Sequence, residues 1–425
     1  MKKRRILLWI IMAGLITGLG LGSGVCLQKS EKERELYSSL ELFSHALSMI
    51  QSKYVEEIDS KDLIYGALKG MLYSLDPYSQ FLDPDSYKDM QVHTEGKFGG
   101  LGIEIAIKDN LLTIITPIHG TPADKAGVKA GDRIIKIDGE SSEGITLLDS
   151  VKKLRGEPGT EVKLTIFREK AGKVLEISII RDIIKIESLK GQRILENNIG
   201  YIRLVEFQEE SSEEFEKAII ELKKEGMDAL ILDLRNNPGG LLDSAVNIAD
   251  MFVPKNKLLV TTKGREGEQT YTFKSRREPL LEEEVPIVVM VNQGSASGAE
   301  ILAAVLQDYK RAVLIGQKTF GKGSVQTIIP LVDGSALRIT TSKYFLPSGR
   351  SIHEKGIMPD VVVEDKLMEM NAEEKSKVFF DEVERKENGE IAAEEAEAYD
   401  YQLKRAIDLI KGLRVYSERR FNDKE

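Results

Sequence analysis

Apolar residues recur at helical spacing near the start of the chain. Between Glu31 and Tyr87 they fall on one face of each predicted helix, and one such set is Leu36, Leu40, Phe43, Leu47 and Ile50. Spacing of three to four residues is typical of amphipathic helices. The pattern predicts an N-terminal helical region at residues 29–96. Its helices pack either on this chain or on a second copy.

Strand-like and helix-like segments alternate in the second half of the chain. The predicted segments are Tyr201–Phe207, Ser212–Lys224, Ala229–Leu234, Gly239–Met251 and Val285–Asn292. Alternation of this kind is typical of an α/β core. A charged helical run follows at Glu369–Glu397, and a closing helix is predicted at Tyr401–Leu413. The fold class is therefore predicted to be α/β multidomain.

The first residues form a basic cluster followed by an apolar run. Lys2, Lys3, Arg4 and Arg5 precede residues 6–27, which carry no charge and are mostly apolar. This run is long enough for a membrane-spanning helix, with the basic cluster on the cytoplasmic side. A cleaved signal peptide is the alternative. A lipoprotein signal at Cys26 is disfavoured because the preceding Val25 is bulky.

Composition narrows the class of protein. The chain has 425 residues and a net charge of −9, spread over segments of mixed sign. This balance argues against nucleic acid as a partner. Cys26 is the only cysteine, so the exported part has neither an intrachain disulfide nor a thiolate metal cluster. No metal and no cofactor are expected.

Ser297 is the first candidate for chemistry. It lies between a predicted buried strand, Val285–Val291, and a predicted helix, Glu300–Asp308. Unpaired N–H groups at a helix N-terminus stabilise an oxyanion, so a serine nucleophile is useful there. The alternative is a helix N-cap. Ser295 is a local rival whose simpler role is a turn hydroxyl.

A serine nucleophile needs a base, and lysine is the better candidate in this chain. The four histidines, His45, His93, His119 and His353, lack the neighbours of a catalytic triad. Lysine serves instead where burial lowers its pKa. Lys322 lies between two glycines, and Phe320, Val325, Ile328 and Ile329 are expected to supply a dry pocket. The alternative for Lys322 is a solvated turn residue.

Together the two segments resemble the carboxyl-terminal processing peptidases, or tail-specific proteases. The resemblance rests on Asn292–Ser297, Phe320–Gln326, the loop Asp233–Leu242 and two later motifs, Gly349–Ile352 and Gly356–Asp360. It implies a crotonase-like core in which Ser297 is the nucleophile, Lys322 the general base and Gln326 the residue that orients the lysine. It also implies a supporting role for Asp308 and an N-terminal dimerisation region.

The resemblance further implies an oxyanion hole. Its donors are the N–H groups of Gly298 and of Gly239 or Gly240, with the choice between the last two left open. Gly298 and Ala299 depart from the Ala-Ser expected after the nucleophile. A glycine still offers its backbone N–H, so this departure leaves the proposed chemistry intact.

Upstream, a glycine-rich turn leads into an alternating strand. The segment Gly100-Leu101-Gly102-Ile103 opens a series of strands and short helices that reaches Arg168, and the order resembles a PDZ domain. Such a domain binds a terminal carboxylate with backbone N–H groups while the peptide adds a strand to the sheet edge. A phosphate loop is disfavoured because a strand follows the glycines. Arg155 is a candidate for coupling peptide binding to catalysis, or an ordinary solvated arginine.

These features predict five regions and one function. The regions are 1–28, an anchor; 29–96, a helical region for which the resemblance implies dimerisation; 97–184, a PDZ domain; 185–365, the peptidase core; and 366–425, a C-terminal helical region. We expect a serine endopeptidase on the outer face of a bacterial cell membrane or in the periplasm. Its partners would be proteins with free C-termini, the membrane and a second copy.

Two other functions share these features. One is a catalytically inert PDZ scaffold that binds C-termini; loss of Ser297, Lys322 or Gln326 would be its mark, and all three are present. The other is a crotonase-fold acyl-CoA enzyme, which has no use for a PDZ module or an export signal.

Overall fold

The computed structural model describes residues 31, 33–268, 270–364 and 400–422. The predicted membrane helix at 6–27 and the charged run at 369–397 lie outside these residues. Within the described part, every helix is too short or too polar to cross a membrane. The chain divides after Asp83 into two compact units.

The first unit is largely helical, as its pattern predicts. It contains α1 (33–53), α2 (Ser60–Tyr73) and a short strand β1 (Gln80–Leu82). The side chain of Asp59 caps α2 by accepting a hydrogen bond from the N–H of Lys61. Many large apolar side chains of α1 are exposed, including Leu36, Leu40 and Leu42 at 59%, 53% and 70%.

The second unit begins with a small sheet domain. Its helices are α3 (Pro84–Glu95), α4 (Pro122–Lys125) and α5 (Leu147–Leu154). Its strands are β2 (Lys97–Gly100), β3 (Ile103–Lys108), β4 (Leu111–Pro117), β5 (Arg133–Ile137), β6 (Glu140–Ser141), β7 (Glu161–Arg168), β8 (Lys173–Ile180) and β9 (Asp182–Lys185). Strands β3, β4, β5, β7 and β8 pair in that order, and β6 pairs with β5.

Strands β2 and β9 form a separate two-stranded ribbon through which the chain enters and leaves this small domain. They are antiparallel, and Lys97 lies opposite Lys185. Both lysines form ion pairs with Glu210, which lowers the pKa of that carboxyl group to about 2. Glu210 immediately precedes the next helix of the chain, so the ribbon is bound to the domain that follows.

The larger domain contains two sheets. Its helices are α6 (Ser211–Lys224), α7 (Leu242–Asp250), α8 (Gly298–Asp308) and α9 (Tyr401–Asn422). Its strands are β10 (Leu189–Leu195), β11 (Ile199–Leu204), β12 (Ala229–Asp233), β13 (Leu258–Gly264), β14 (Tyr271–Lys274), β15 (Ile287–Val291), β16 (Val313–Gly316), β17 (Ser324–Pro330), β18 (Ala336–Phe345) and β19 (Val361–Val362).

The central sheet has the order β10-β11-β12-β15-β16-β19. All of its neighbouring pairs are parallel except β10 with β11. Strands β17, β18, β13 and β14 pair in that order in a second, antiparallel arrangement. The predicted mixed α/β architecture is confirmed. The crotonase-like type and the predicted domain boundaries stay predictions.

Both faces of the central sheet are covered. On one face, Leu230 and Leu232 belong to a buried cluster that includes apolar residues of α6, α7 and α8. On the other, Ala229 and Ile231 are clustered with Leu403 and other apolar residues of α9. Successive side chains of a strand point to opposite faces, so a parallel sheet buried on both sides has continuous apolar strands. This explains the uninterrupted apolar runs in the sequence.

Candidate active site

Ser297 lies where β15 gives way to α8, as the sequence predicts. It occupies the N-cap of α8 with a backbone φ of 55° and ψ of −113°. Positive φ is uncommon for a residue other than glycine, and such strain is concentrated at functional sites. The half-buried serine is thus held in an unusual conformation at a helix N-terminus.

Glu300 connects the serine to the lysine segment. Its side chain is fully buried. The carboxylate accepts hydrogen bonds from four donors: the N–H of Ser297 at 2.9 Å, of Lys322 at 2.8 Å and of Gly321 at 2.7 Å, and the hydroxyl of Thr319 at 2.5 Å. A buried carboxylate with this many donors is well satisfied. It fixes two distant segments to one point.

Glu300 was not identified as a site residue from the sequence, although a signal was present. Serine at an N-cap and glutamate three residues later form the sequence pattern of a capping box. The glutamate oxygen indeed accepts from the N–H of Ser297. The pattern does not disclose the remaining bonds of this carboxylate, because Thr319, Gly321 and Lys322 are remote in sequence.

Lys322 is half-buried in the loop before β17. Burial lowers the pKa of its ammonium group, and the positive charge of Arg338 lowers it further, while Glu300 acts in the opposite direction. A lowered pKa raises the neutral fraction, which a general base requires. Arg338, on β18, is a second residue that was not identified from the sequence.

The surroundings of Lys322 differ in part from the expected dry pocket. Val325 and Ile328 are half-buried, but Phe320 and Ile329 are 58% and 41% exposed. Their prediction as pocket walls is wrong because loop and edge positions leave these two side chains facing solvent. Backbone packing encloses the loop instead. A Cβ on Gly323 would lie 2.5 Å from the backbone nitrogen of His353.

Gly239 brings a second loop against the serine. Its φ is 104°, and a Cβ placed on it would lie 2.6 Å from the Cβ of Ser297. Its own N–H donates to Oδ1 of Asn237 at 2.8 Å. Among the described residues, the N–H groups of Gly240 and Gly298 have no hydrogen-bond acceptor. The loop and the helix start therefore leave two backbone donors available beside Ser297.

Ser295 has a structural role. It is fully buried, and its hydroxyl donates to the carbonyl of Leu234 at 2.7 Å and accepts from the N–H of Asn292 at 2.9 Å. The N–H of Ala296 in turn donates to the carbonyl of Asn237. These bonds tie the serine turn to the end of β12, which is the simpler role considered for Ser295.

Two other predicted residues, Gln326 and Asp308, bond to residues outside the serine turn. Gln326 is on β17, where its amide donates to the hydroxyl of Ser324 at 3.0 Å. Asp308 ends α8; its carboxylate accepts from the N–H of Ser348 at 3.0 Å and pairs with Arg350 at 2.8 Å. Asp308 thus binds the turn that follows β18. Any support that it gives to the active site is indirect.

The histidines are scattered. His45 is in α1, His93 near the end of α3, and His119 is fully exposed beside Asp124. His353 packs against Gly323, as described above, and its buried Nδ1 has no partner among the described residues. No group of three or more His, Cys, Asp or Glu residues in the described part is arranged to hold a metal ion.

The predicted carboxylate loop also has available donors. Gly102 has a φ of 73°, and its carbonyl accepts from the N–H of Ile118 and the hydroxyl of Thr121. The N–H groups of Leu101 and Gly102 have no acceptor within the described residues. Gly100 and Ile103 flank them as the last residue of β2 and the first of β3. Backbone donors without an acceptor in such a turn suit an anion.

Arg155 contacts residues of its own small sheet domain. Its guanidinium stacks on the ring of Phe98 at 4.5 Å and bonds to Asp89 at 3.2 Å. It is therefore neither an isolated solvated arginine nor in direct contact with the serine turn. Its coupling role stays a prediction.

Comparisons with known proteins agree with this organisation. The model of peptidase family S41 matches residues 198–363, that of the PDZ domain residues 89–167, and that of the N-terminal domain of the activating protease CtpB residues 22–86. A carboxy-terminal-processing protease of Bartonella bacilliformis is 45% identical over 344 residues, which are 80% of this chain and 78% of that protein.

Two further relatives extend the comparison. The carboxy-terminal processing protease CtpA of Bacillus subtilis is 37% identical over 86% of this chain and 78% of its own length. The solved structure of a photosystem II D1 C-terminal processing protease is 30% identical, with a TM-score of 0.43, over 76% of this chain and 92% of that one. On the extent of the sequence identity, this chain is a serine-type peptidase and belongs to peptidase family S41, with the carboxy-terminal processing proteases.

Proposed function

We propose that this peptidase cuts its substrates with Ser297 as nucleophile and Lys322 as general base, and that its PDZ domain selects substrates by a free C-terminus. The observation that carries the first part is the buried carboxylate of Glu300, which binds the backbone of both residues. One shared anchor fixes their relative position, and positioning is a large part of catalysis.

The reaction follows from the chemistry of the two side chains. Neutral Lys322 takes the proton of the Ser297 hydroxyl as the oxygen attacks the scissile carbonyl. The lysine then gives this proton to the departing amine, which leaves an acyl-enzyme. In the second half, Lys322 takes a proton from water, the resulting hydroxide attacks the ester, and the proton returns to Ser297.

The developing oxyanion needs donors that are not already used. Gly240 and Gly298 meet this requirement, whereas the N–H of Gly239 is bonded to Asn237. We therefore assign the oxyanion hole to Gly240 and Gly298. Gly239 supplies the close backbone approach to Ser297. Each donor contributes on the order of 3 kcal/mol to the transition state. Gln326 would orient Lys322 after a rotation of its amide away from Ser324.

Selection of substrates is assigned to the PDZ loop. The available N–H groups of Leu101 and Gly102 suit a terminal carboxylate. Leu147 and Leu148 of α5 are 43% and 60% exposed, and α5 contacts β3. An apolar side chain of the peptide would lie between α5 and β3 while the peptide backbone extends the sheet.

Membrane attachment and self-association are part of the same proposal. Residues 6–27 would anchor the chain with its catalytic domains outside the cytoplasm. The exposed apolar side chains of α1 would pair with those of a second copy. Carbonate extraction of membranes tests the anchor. Sedimentation of the purified chain, compared with that of a Leu36→Glu, Leu40→Glu double variant, tests self-association.

The experiment on substrate choice uses two peptides of one sequence, one with a free C-terminus and one amidated. Charge-assisted hydrogen bonds contribute about 1.5–3 kcal/mol each, so the amidated peptide should be cut at least about tenfold less efficiently. A Ser297→Ala chain serves as the blank. Equal cleavage of both peptides would reject recognition of the C-terminus. Capture of free C-termini without any cleavage would favour the inert scaffold.

A further inference from the structure

A buried ion cluster lies at the end of β12, immediately before the loop that approaches Ser297. Asp233 is fully buried and accepts from the hydroxyl of Tyr201 at 2.8 Å. Arg235 donates to it through Nε at 3.0 and 3.2 Å, through Nη2 at 2.7 Å and through its own backbone N–H at 3.0 Å. The arginine is thus fixed on one side by the strand that precedes it.

The other side of the Arg235 guanidinium binds the C-terminal segment. Its two terminal nitrogens donate to the two oxygens of Asp400 at 2.9 and 2.5 Å, and one also donates to the amide oxygen of Gln402 at 3.1 Å. The partners are 165 positions apart in the chain. A two-point arginine–carboxylate pair is geometrically specific as well as strong.

Asp400 is also the start of α9. Its carboxylate accepts from the N–H of Leu403 at 2.9 Å, as an N-cap residue does. Leu403 and the apolar residues that follow pack on the central sheet. Burial alone would lower the pKa of Arg235, but the carboxylates of Asp400 and Asp233 raise it, so the arginine stays charged. Asp400 therefore links the N-terminus of α9 to the buried guanidinium group of Arg235.

Arg235 and Gly239 belong to one short loop. Between them, the N–H of Asn236 donates to Asn292 in the serine turn at 2.9 Å, and the carbonyl of Asn237 accepts from Ala296. The loop is held at one end by Arg235 and meets Ser297 at the other. We propose that Asp400 is a positioning residue for catalysis: by holding Arg235, it sets the loop 235–240 that presents the oxyanion donor to Ser297.

This inference rests on the proposed function, and the full-length chain tests it. Asp400→Asn keeps a side chain that caps helices well but loses the charge and one acceptor for Arg235. We expect kcat to fall about tenfold at an unchanged KM, because a slightly misplaced loop lowers transition-state binding. The rate of labelling by a fluorophosphonate should fall in parallel, while the final extent of labelling stays the same. The final extent counts folded sites, so a loss of folded protein alone would not produce this split.

Asp408→Asn is the matched control. Asp408 lies on the same helix, is about half exposed and contacts Arg405 within the helix, so its loss should leave kcat within twofold of the parent value. Asp400→Glu keeps the charge and should restore part of the lost kcat. If Asp400→Asn does not yield folded protein, Asp400→Glu alone decides: a reduced kcat at parental KM supports the proposal.

Two results would overturn the positioning role. The first is a kcat per labelled site in Asp400→Asn that stays within twofold of the parent value. If Asp400→Asn does not fold, the same result in Asp400→Glu would overturn the role. The other is an equal effect of Asp408→Asn. A separate measurement on Ser297→Ala keeps the two proposals apart. Persistent cleavage by that variant would reject the dyad, whatever the outcome at Asp400.

Discussion

Ser297 and Lys322 donate their backbone N–H groups to the same oxygen of Glu300, at 2.9 and 2.8 Å. The two residues come from different segments, a helix start and the loop before β17. Their positions in the sequence do not show that they are close in space. The shared carboxylate does, because both backbones lie within hydrogen-bond reach of one buried atom.

Glu300→Gln should test this anchor. An amide can accept at one position only, so at least one of the N–H groups that now share the carboxylate would face an NH₂ group. We expect kcat to fall by about 10²-fold, the cost of a misplaced catalytic group, and the free energy of unfolding to fall by about 2 kcal/mol because a buried donor loses its partner. Steady-state kinetics and urea unfolding measure the two effects.

Thr319→Val is the control for Glu300→Gln. It removes one hydroxyl, which donates to the carboxylate and accepts from the N–H of Ile357 at 2.6 Å, and it leaves the three N–H bonds to Glu300 in place. Stability should drop by about 2 kcal/mol because the buried N–H of Ile357 loses its acceptor, with much less effect on kcat. Equal losses of activity in the two variants would mean that the anchor acts through general stability alone.

Gly239→Ala should inactivate the enzyme through direct contact. A Cβ at this position would lie 2.6 Å from the Cβ of Ser297, and the φ of 104° already disfavours a side chain. We expect kcat/KM to fall at least about 10²-fold. In Gly267→Ala, φ is also positive, at 83°, but a Cβ meets open space. That variant should lose only about 1 kcal/mol of stability and keep its activity. Substantial cleavage by Gly239→Ala would show that the loop does not closely approach the nucleophile.

Much of the local structure around the site was predictable from the sequence. The apolar run before Ser297 became β15, and the helix predicted at Glu300–Asp308 begins two residues earlier, at Gly298. Such elements follow from periodicity and turn residues within a short window. Ser295 likewise took the structural role that its neighbours suggested.

The tertiary relationships were not predictable in this way. The carboxylate of Glu300 binds residues nineteen to twenty-two positions away, and Arg235 binds Asp400 across 165 positions. No local pattern encodes which buried charges meet, because that depends on how the strands are ordered in the sheet. The exposure of Phe320 was missed for a related reason: an apolar residue in a loop carries no signal of which way it faces.

The dependence of activity on pH should respond to Arg338. Its positive charge, together with burial, lowers the pKa of Lys322. Activity needs the neutral lysine, so kcat/KM should rise with pH through this pKa. Arg338→Gln removes the like charge, which raises the pKa of Lys322. The rising limb of the profile should therefore move to higher pH, and activity at pH 7 should fall.

Lys343→Gln provides the matched control for the pH experiment. Lys343 is an exposed cation on the same strand, β18. Its replacement changes the net charge by the same amount and should leave the profile in place, since exposed charges are screened by solvent and salt. If Arg338→Gln and Lys343→Gln shift the rising limb equally, the pKa of Lys322 responds to the net charge of the protein and not specifically to Arg338.

The most direct test of the account is to find which residue becomes acylated and whether the lysine is needed. The full-length protein is treated at pH 7 with a fluorophosphonate, digested, and mapped by mass spectrometry; Lys322→Ala and Ser295→Ala are treated in the same way. We expect one adduct, on Ser297, in the parent chain, the same adduct in the folded fraction of Ser295→Ala, and labelling at least about 10²-fold slower in Lys322→Ala. An adduct on any other residue, or labelling of Ser297 at the parental rate in Lys322→Ala, would contradict the Ser297–Lys322 mechanism.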